Sequence, residues 1–589
     1  MLGKRNPQTT IFDGDQVYLE HVGQRTFYAY LAEKRHELFR DEDFADLYSA
    51  DRGRPSVAPS LLCTALVLQH YERCSDQEAA DRAAYDQRWK VALGTGELER
   101  PFVKSTLQLF RAQLQCNEKA RLPFEASIQA AKRVGKLKSD GKIRAALDTT
   151  AIWGRGAVKD TYNLIADGVL QVMREVARWR RQPLARWAAS RELGRFLASS
   201  IKGETEIDWD DKEARRALLE GLVKDARRVL EMAGRARAQM APGGPDEQRL
   251  LKATEVLSQV LLQDVERGED GHPQIRQGSN AERICSVHDP EVRHGRKSAS
   301  TRFDGHKLAV GADVESQVIV AVDILPGSAK DDEGSLELAQ QAEANSGLEL
   351  EAALGDCAYG TGPNRQRFAE AGIPLLAKVP RQPETGRFTK DDFDINLEQG
   401  TCRCPAGEVT SHLVSASSSM VGGGRMTLKA FQFSAKQCGP CPLRDRCFTR
   451  NQHGRLVRLN PYERLHREAR RWQQSPGFAT FREQRQVVEH RLARMVQLGI
   501  RQARYFGRGK TLFQALMVAT VANLTLVAAH NLPDTVARGL LGAMLALYSG
   551  FVASVRPSHF LAGRLPLFAS AWLPGTHGSL KMAVSRPGL

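Results

Sequence analysis

Residues 306–327, HKLAVGADVESQVIVAVDILPG, contain two apolar and β-branched runs on either side of the short polar stretch Glu315-Ser316-Gln317. Two such runs separated by a few polar residues predict a β-hairpin. Upstream, residues 143–152 have the composition of a buried strand, and the only acid among them is Asp148. We expect this strand and this hairpin to form the centre of the fold.

Helix and strand patterns alternate downstream of the hairpin. EGSLELAQQAEANSG at 333–347 predicts a helix, and LEAALGD at 350–356 predicts a short strand. PNRQRFAEAG at 363–372 predicts a second helix, followed by the strand IPLLAKVP at 373–380. The order strand, hairpin, helix, strand, helix, strand predicts a mixed α/β sheet.

Changes in composition divide the rest of the chain. The expected parts are an N-terminal helical domain (1–135), the first part of the α/β core (136–170), a helical insert (171–280), the second part of the core (281–380), a Cys-rich insert (381–460), a helical last part of the core (461–533) and a tail without an assigned role (534–589).

Two short helices joined by a tight break are expected in the N-terminal domain, because Ser75 and Glu78 provide an N-cap and an early acid for a new helix. This pattern is typical of a helix-turn-helix and equally of a generic helical bundle. In the helical insert, Trp179 and Trp187 lie among Arg residues, and helix packing is favoured over stacking on bases as their role.

The net charge predicts a polyanionic partner. The 589 residues include 84 Lys and Arg against 69 Asp and Glu, a net charge of +15, with a pI near 9.4. Such a chain would bind nucleic acid or an anionic membrane surface. Residues 470–510 alone hold ten Lys and Arg and two acids, so more than half of the excess lies there. The 42% hydrophobic content excludes global disorder.

A cytoplasmic location is expected, because the first 20 residues contain no apolar run of signal-peptide length. Residues 512–529 are apolar and long enough to span a membrane, but they include Gln514, Asn523 and several Thr. A buried core helix is therefore favoured over a membrane span, and no membrane partner is expected.

Three acids are candidates for catalysis. Asp148 and Asp356 lie at or near the ends of predicted strands, where ligands bind in α/β folds. Glu489 lies on a predicted helix among many Arg residues. A helix cap or turn is the simpler role for each Asp, and a surface ion pair with Arg485 is the simpler role for Glu489.

Three carboxylates in one site would repel one another unless cations were bound. Carboxylate oxygens are hard ligands that suit Mg²⁺. Two such ions can activate a nucleophile and stabilise the leaving oxygen of a phosphodiester. These acids, together with the basic surroundings of Glu489, predict phosphoryl transfer on nucleic acid with two Mg²⁺ ions.

Four segments of the chain resemble bacterial insertion-sequence transposases of the DDE class: LDTTAIWGRGAVKDTYNL, DPEVRHGRKSASTRFDGHKLAVGADVES, LGDCAYG and VVEHRLARMVQLGIRQARYFGRGK. The resemblance extends over about residues 15–530. It implies a ribonuclease-H-like catalytic core in which Asp148, Asp356 and Glu489 are the metal ligands. It also implies that the helical N-terminal region belongs to the DNA-binding part.

Related transposases carry a Tyr-x2-Arg-x3-Glu-x6-Lys signature around the last acid. This chain keeps the Arg and the Glu as Arg485 and Glu489, but Arg482 replaces the Tyr and Val496 replaces the Lys. Other basic residues nearby could supply the missing phosphate contact: Arg494, Arg501, Arg504 or Lys510.

Five Cys between 402 and 447 form the other notable cluster. Cys438-x2-Cys441 has zinc-knuckle spacing, and Cys404 and Cys447 would complete a structural four-cysteine site, with Cys402 as the alternative ligand. The competing interpretation is a Cys-containing loop that packs on the core. Cys357, beside Asp356, is interpreted as a core neighbour.

The predicted function is that of a DNA transposase which hydrolyses phosphodiesters and transfers strands at the ends of an insertion sequence. Its partner would be double-stranded DNA, both terminal repeats and target, bound by a homodimer. The alternative is a non-catalytic DNA-binding protein on the same scaffold. Other acids of the core, Asp304, Asp313, Asp331 and Asp332, are expected to cap turns, and Asp313 is the rival metal ligand.

Overall fold

The computed structural model describes residues 1–5, 19–49, 53–278, 280–298, 300–380, 386–419, 425–447 and 454–530. Fourteen strands lie in these ranges, and we number them in chain order: β1 (Lys142–Trp153), β2 (Val265–Arg267), β3 (Pro273–Ile275), β4 (Arg293–Arg296), β5 (Arg302–Asp313), β6 (Ile319–Pro326), β7 (Glu349–Gly355), β8 (Leu375–Ala377), β9 (Asp394–Asn396), β10 (Thr401–Arg403), β11 (Val409–Thr410), β12 (Leu413–Ser419), β13 (Arg425–Phe433) and β14 (Arg455–Arg458).

The α-helices fall into groups along the chain. Six lie between residue 27 and the first strand: α1 (Phe27–Leu38), α2 (Pro59–Tyr71), α3 (Asp76–Tyr85), α4 (Gln87–Leu93), α5 (Lys104–Cys116) and α6 (Leu122–Arg133). Five follow β1: α7 (Thr161–Trp179), α8 (Leu184–Ala189), α9 (Ile201–Glu204), α10 (Lys212–Arg237) and α11 (Pro245–Asp264). The remainder are α12 (Ser335–Ser346), α13 (Gly362–Glu370), α14 (Ala435–Cys438), α15 (Arg444–Cys447), α16 (Glu463–Gln473), α17 (Phe478–Gln497) and α18 (Arg508–His530). Short 3₁₀ helices lie at Asp41–Leu47, Gly194–Leu197, Cys357–Gly360 and Lys390–Asp392.

The predicted mixed sheet is confirmed. β1 pairs antiparallel with β5 and parallel with β7, while β6 pairs antiparallel with β5 and β8 pairs parallel with β7. The five strands that follow one another as β1, β5, β6, β7 and β8 are thus arranged 3-2-1-4-5 across the sheet. The short strand β4, which the sequence did not indicate, extends the sheet beside the start of β5.

The hairpin of β5 and β6 turns where the polar break predicts it. Asp313 closes the turn, because its Oδ2 accepts hydrogen bonds from the Ser316 backbone N–H (2.8 Å) and from Ser316 Oγ (2.6 Å). Asp313 is buried and opposite Ala145, three residues before Asp148 on β1. Its expected role as a turn cap is confirmed, and it is not among the residues that line a common cavity with Asp148, Asp356 and Glu489.

The N-terminal helices and the sheet share one hydrophobic core. Leu66 of α2, Leu147 of β1, Val320 of β6 and Leu516 of α18 are all fully buried in it. The predicted helix break is confirmed, since Ser75 and Glu78 form a reciprocal capping box at the start of α3. Twelve of the thirteen residues of α2 are buried, so this helix lies inside a bundle.

Helix α18 contains the apolar segment that could span a membrane by length and composition, but 72% of its most apolar window is buried against the rest of the protein. Its polar residues have partners there. Asn523 Oδ1 accepts from the Ile319 backbone N–H (2.9 Å), and its Nδ2 donates to the Ile319 carbonyl (2.9 Å). These bonds fix α18 to the hairpin, and the expected core helix is confirmed.

Two further parts have separate cores. In the helical insert, α7, α10 and α11 pack around Val172, Leu222 and Leu257. Trp187 is buried in this core, which confirms helix packing as its role. The segment from β9 to β14, which includes the Cys cluster, forms two small three-stranded sheets that the sequence did not predict. Its core has six buried residues: Phe393, Ile395, Cys402, Phe431, Phe433 and Val457.

Candidate active site

Asp148 and Asp356 lie side by side because of the register of β1 and β7. Ala146 is opposite Leu354 in this parallel pair, and each Asp follows two residues later on the same side of its chain. Asp148 Oδ1 accepts from the Thr149 backbone N–H (2.8 Å). Asp356 Oδ1 accepts from the Ala358 backbone N–H (2.8 Å) and caps the 3₁₀ turn that follows.

Glu489 approaches the two Asp from α17, which packs across β1 and β5. Val488, Leu492 and Met495 form the buried face of this helix. Glu489 lies at the border of that face, where its carboxylate forms an ion pair with Arg485. Glu489 therefore forms the surface ion pair with Arg485 and also lies beside the two Asp.

All three acids line one open cleft, a cavity of about 530 Å³. The other residues around it come from β1, β5, the loops beside them and the helix α17: Thr149, Thr150, Ala151, Arg296, Lys297, Phe303, Lys307, Asp331, Leu492, Ala493, Val496 and Arg501. The structure thus brings together three carboxylates that are up to 341 residues apart in the sequence.

The surroundings of Asp148 in the cleft disfavour the charged form of its carboxyl group. Burial, assisted by the neighbouring carboxylates of Asp356 and Glu489, raises the pKa of Asp148 to about 6, although the Thr149 N–H and Arg485 act in the opposite direction. A bound cation would offset this cost, and carboxylate oxygens suit Mg²⁺. Within the described residues, no group of three or more His, Cys, Asp and Glu is already arranged to hold a metal ion. The donor chemistry of the cleft fits a divalent cation, whereas the coordination itself would require the side chains to adjust.

Lys307 and Asp331 are two of the cleft residues that the sequence did not place in the site. Lys307 is buried in β5, where its Nζ donates to the Ala329 carbonyl (2.6 Å) and to Asp331 Oδ1 (2.8 Å). The same Asp331 oxygen accepts from Thr149 Oγ1 (2.7 Å), next to Asp148. Asp331 therefore supports the strand that carries Asp148, and its interpretation as only a turn cap was incomplete. The sequence did contain one signal for this group, because Lys307 is a charged residue within the apolar run of β5.

Tyr359 lies beneath the acids. It is 1% exposed, and its ring packs so closely on Gly355 that a Cβ at this glycine would lie 2.6 Å from the Tyr359 Cβ. Burial raises the pKa of Tyr359 well above its usual range, and Asp148 and Asp356 add to the effect. The glycine before Asp356 thus allows an aromatic ring to support the end of β7.

Among the predicted basic residues, Arg501 is the one that lines the cleft. Its Nη1 donates to Thr150 Oγ1 (3.1 Å), and the loop that carries it is bonded to the end of β1, where the Trp153 N–H donates to the Arg501 carbonyl (2.9 Å). Val496 also lines the cleft, at the position where related transposases carry Lys.

The other predicted basic residues lie elsewhere. Arg485 pairs with Glu489, and Arg494 donates to Gln497 Oε1 (3.4 Å). Arg504 donates to the Cys74 carbonyl (2.7 Å), so it connects the loop to the N-terminal helices. Arg482 and Lys510 are exposed outside the cleft. Arg296 and Lys297, which the sequence did not single out, are instead part of it.

The predicted zinc ligands are also brought together. Cys404, Cys438, Cys441 and Cys447 line a second, small cavity in the Cys-rich segment. Cys402, the alternative ligand, is fully buried in the adjacent core and does not line this cavity.

Comparison with known families gives two matches. The transposase DDE domain family matches residues 403–528, and a transposase domain family (DUF772) matches residues 18–113. Glu489 and the four cavity Cys lie within the first match, whereas Asp148 and Asp356 lie outside both. No curated protein and no solved structure matches the chain significantly.

These matches and the sheet define the class of protein. The 3-2-1-4-5 strand order, with three antiparallel strands followed by two parallel ones, fits a ribonuclease-H-like core with a helical N-terminal region. The two family matches, each over less than half of the chain, support an insertion-sequence-type transposase of the DDE class.

Proposed function

We propose that the cleft of Asp148, Asp356 and Glu489 is a metal-dependent active site that cleaves DNA at the ends of an insertion sequence and transfers the strands to target DNA. The observation that carries the proposal is the convergence of the three carboxylates in one cleft. Mg²⁺, with two ions in the complete site, would activate water and stabilise the leaving oxygen of the phosphodiester.

The residues of the chain would hold and orient the reactants. Asp148 and Asp356 offer oxygens from adjacent strands, and Glu489 closes the site from α17. Arg501, Arg296 and Lys297 border the same cleft and would neutralise the phosphates of the bound strand. Because Val496 replaces the usual Lys, we propose that Arg501 supplies the missing phosphate contact.

The same proposal includes the partners and the location of the protein. The partner is double-stranded DNA, both terminal repeats and target, and the N-terminal helices take part in binding it. A homodimer would hold two ends of the element, and the protein would act in the cytoplasm. Arg482, Arg485, Arg494, Arg504 and Lys510 are proposed as secondary DNA contacts around the Glu489 helix.

We also propose that the catalytic core comprises residues 136–170, 281–380 and 461–533. The helical insert and the Cys-rich insert would interrupt it as parts with separate hydrophobic cores, and the core of the helical insert also takes in Ile165 of α7 and Val287 from the adjoining ranges. The N-terminal region 1–135 would bind DNA while it shares the main core with the sheet.

The test is Asp356→Asn in the full chain, with a supercoiled plasmid that carries the DNA flanking the coding region. The amide keeps the shape of Asp356 but removes its charge, so we expect Mg²⁺-dependent cleavage to fall about 1,000-fold or more, while DNA binding is retained. Asp246→Asn, at an exposed acid of the helical insert, is the matched control and should cleave normally.

Two results would contradict the proposal. Cleavage by Asp356→Asn at the wild-type rate would remove Asp356 from the active site. A wild-type chain that binds the plasmid but does not nick it with Mg²⁺ or Mn²⁺ would favour the non-catalytic DNA-binding protein.

A further inference from the structure

The small cavity of the Cys-rich segment is bordered by four thiols. Cys404, Cys438, Cys441 and Cys447 line it, and its free space of about 20 Å³ is comparable to that of one water molecule. All ten Cys of the chain are free thiols. We propose that these four Cys bind one structural Zn²⁺ as thiolates, a site that is separate from the acid cleft.

Each thiol is presented by a short, hydrogen-bonded piece of backbone. The turn after Cys404 is closed by a hydrogen bond from the Gly407 N–H to the Cys404 carbonyl (2.9 Å), and Gly407 has φ +94°, which favours glycine. Cys438 ends α14, and Cys441 follows it with its N–H directed at the Cys438 carbonyl (3.4 Å). Cys447 ends α15. Turns of this kind can direct several thiols at one point.

The chemistry of the donor set selects zinc. Thiolates are soft ligands, and four of them suit the tetrahedral geometry that structural Zn²⁺ adopts. Four thiolates with one Zn²⁺ carry a net charge of −2, and Arg444 and Arg455 border the same cavity. Because four protein ligands leave no open position, the ion would stabilise structure and take no part in the reaction.

The Cys-rich segment lacks the buried surface that would make a metal unnecessary. Its core has six buried residues, and Cys404, Cys438 and Cys447 pack against that core from the side of the cavity. Small cores of this size are commonly stabilised by a metal or by disulfides. No three of the thiols within the described residues are yet close enough for metal binding, so Zn²⁺ would draw them together and link α14, α15 and the turn after β10.

Cys402 is excluded as a ligand by its position. It lies in β10 between β9 and β11, and its side chain is fully buried in the core.

The test is the zinc content of the purified full chain, measured by mass spectrometry after gel filtration. We expect about one zinc per wild-type chain, and a loss of at least five-fold in Cys441→Ser and in Cys404→Ser. Cys116→Ser, at an exposed thiol of α5, and Cys402→Ala should both keep the zinc. A wild-type chain without zinc, or zinc retained in Cys441→Ser, would overturn the proposal, and zinc lost in Cys402→Ala would overturn this ligand set.

A second measurement remains informative if the Ser variants do not fold. Wild-type protein loaded with Co²⁺ should show the intense visible and near-ultraviolet absorption of a tetrahedral four-thiolate site. Spectra of Co²⁺ bound to oxygen ligands alone would contradict the assignment. Neither measurement uses DNA or cleavage, so their outcome is independent of the proposed activity.

Discussion

The acid cleft and the Cys cavity gather distant residues by different physical means. In the cleft, β1 sits between β5 and β7 inside a core that extends from Phe27 to Val527. In the Cys-rich segment, short strands and single-turn helices surround a core of six residues. The sheet fixes the acids within a large shared core, whereas the thiols are positioned by short hydrogen-bonded turns beside a small core.

This difference predicts different responses to mutation. Removal of a charge from the cleft should change the chemistry and leave the fold intact, because the large core does not depend on that charge. Removal of a thiol from the cavity should loosen its whole segment. The following predictions probe both sides of this contrast.

Outside the three acids themselves, the largest effect is expected for Lys307→Met. Met keeps the length and apolar stem of Lys but removes the hydrogen bonds to the Ala329 carbonyl and Asp331, which support the strand that carries Asp148. Because loss of such supporting contacts commonly costs 10–100-fold in activity, we expect Mg²⁺-dependent cleavage to fall by about that factor. The measurement is the cleavage rate over a Mg²⁺ titration.

The control for this prediction is Lys330→Met, since Lys330 is exposed near the same loop. A lower melting temperature in Lys307→Met together with unchanged cleavage would show that Lys307 serves packing alone.

A smaller effect is expected in the pH dependence of the protein's stability, to which the large core contributes. Burial, together with the nearby Arg504 and Arg111, lowers the pKa of His70 in α2 to about 3. In the unfolded chain this pKa is about 6.5, so between pH 6.5 and pH 3 only the unfolded state binds the proton. Stability is therefore lost as the pH falls, by about 2 kcal/mol between pH 7 and pH 5.

His70→Gln should flatten that dependence by about 2 kcal/mol, measured by urea unfolding at pH 7 and pH 5. His288→Gln, at a partly exposed histidine, should keep the wild-type slope. If stability falls equally with pH in wild type and in His70→Gln, then His70 is not a buried neutral imidazole in the folded state.

The smallest effect is expected for Cys402→Ala. The substitution removes one buried side chain from the small core and should cost about 1 kcal/mol locally. Hydrogen exchange should become faster at the amides of β10 and β13, while the amides of α17 exchange as in the wild type. Faster exchange in α17 as well would show that the two regions unfold together.

The central sheet could be predicted from the sequence because its strands are continuous apolar runs with clear breaks. Residues 143–152 and the hairpin at 306–327 were identified on that basis, and Asp356 was a candidate because it ends such a run. Asp148 was also expected near a strand end, but it lies in the middle of β1. The start of α3 was predictable because Ser75 and Glu78 form a local capping box. In each case, the signal lies within a few residues of the feature.

Features that depend on distant contacts could not be predicted. Asp331 resembles any turn acid until Lys307 and Thr149 are placed beside it. The sequence also does not show which helix faces meet, so the core shared by α2, α18 and the sheet was not foreseen. Most strands of the Cys-rich segment give no clear pattern, because β9, β10, β11 and β14 have two to four residues and β12 is rich in Ser. Only β13 shows the apolar alternation that marks a strand.

The spacing of the three acids has a consequence for synthesis on the ribosome. Glu489 is made 341 residues after Asp148, a delay of roughly 20–70 s at ordinary rates of translation. Throughout that time β1 lacks some of its partners, and the apolar face that α18 later covers remains exposed on the nascent chain. The protein therefore cannot assemble its acid cleft until nearly all of the described chain has been made, and a product that ends before α17 would carry two of the three acids.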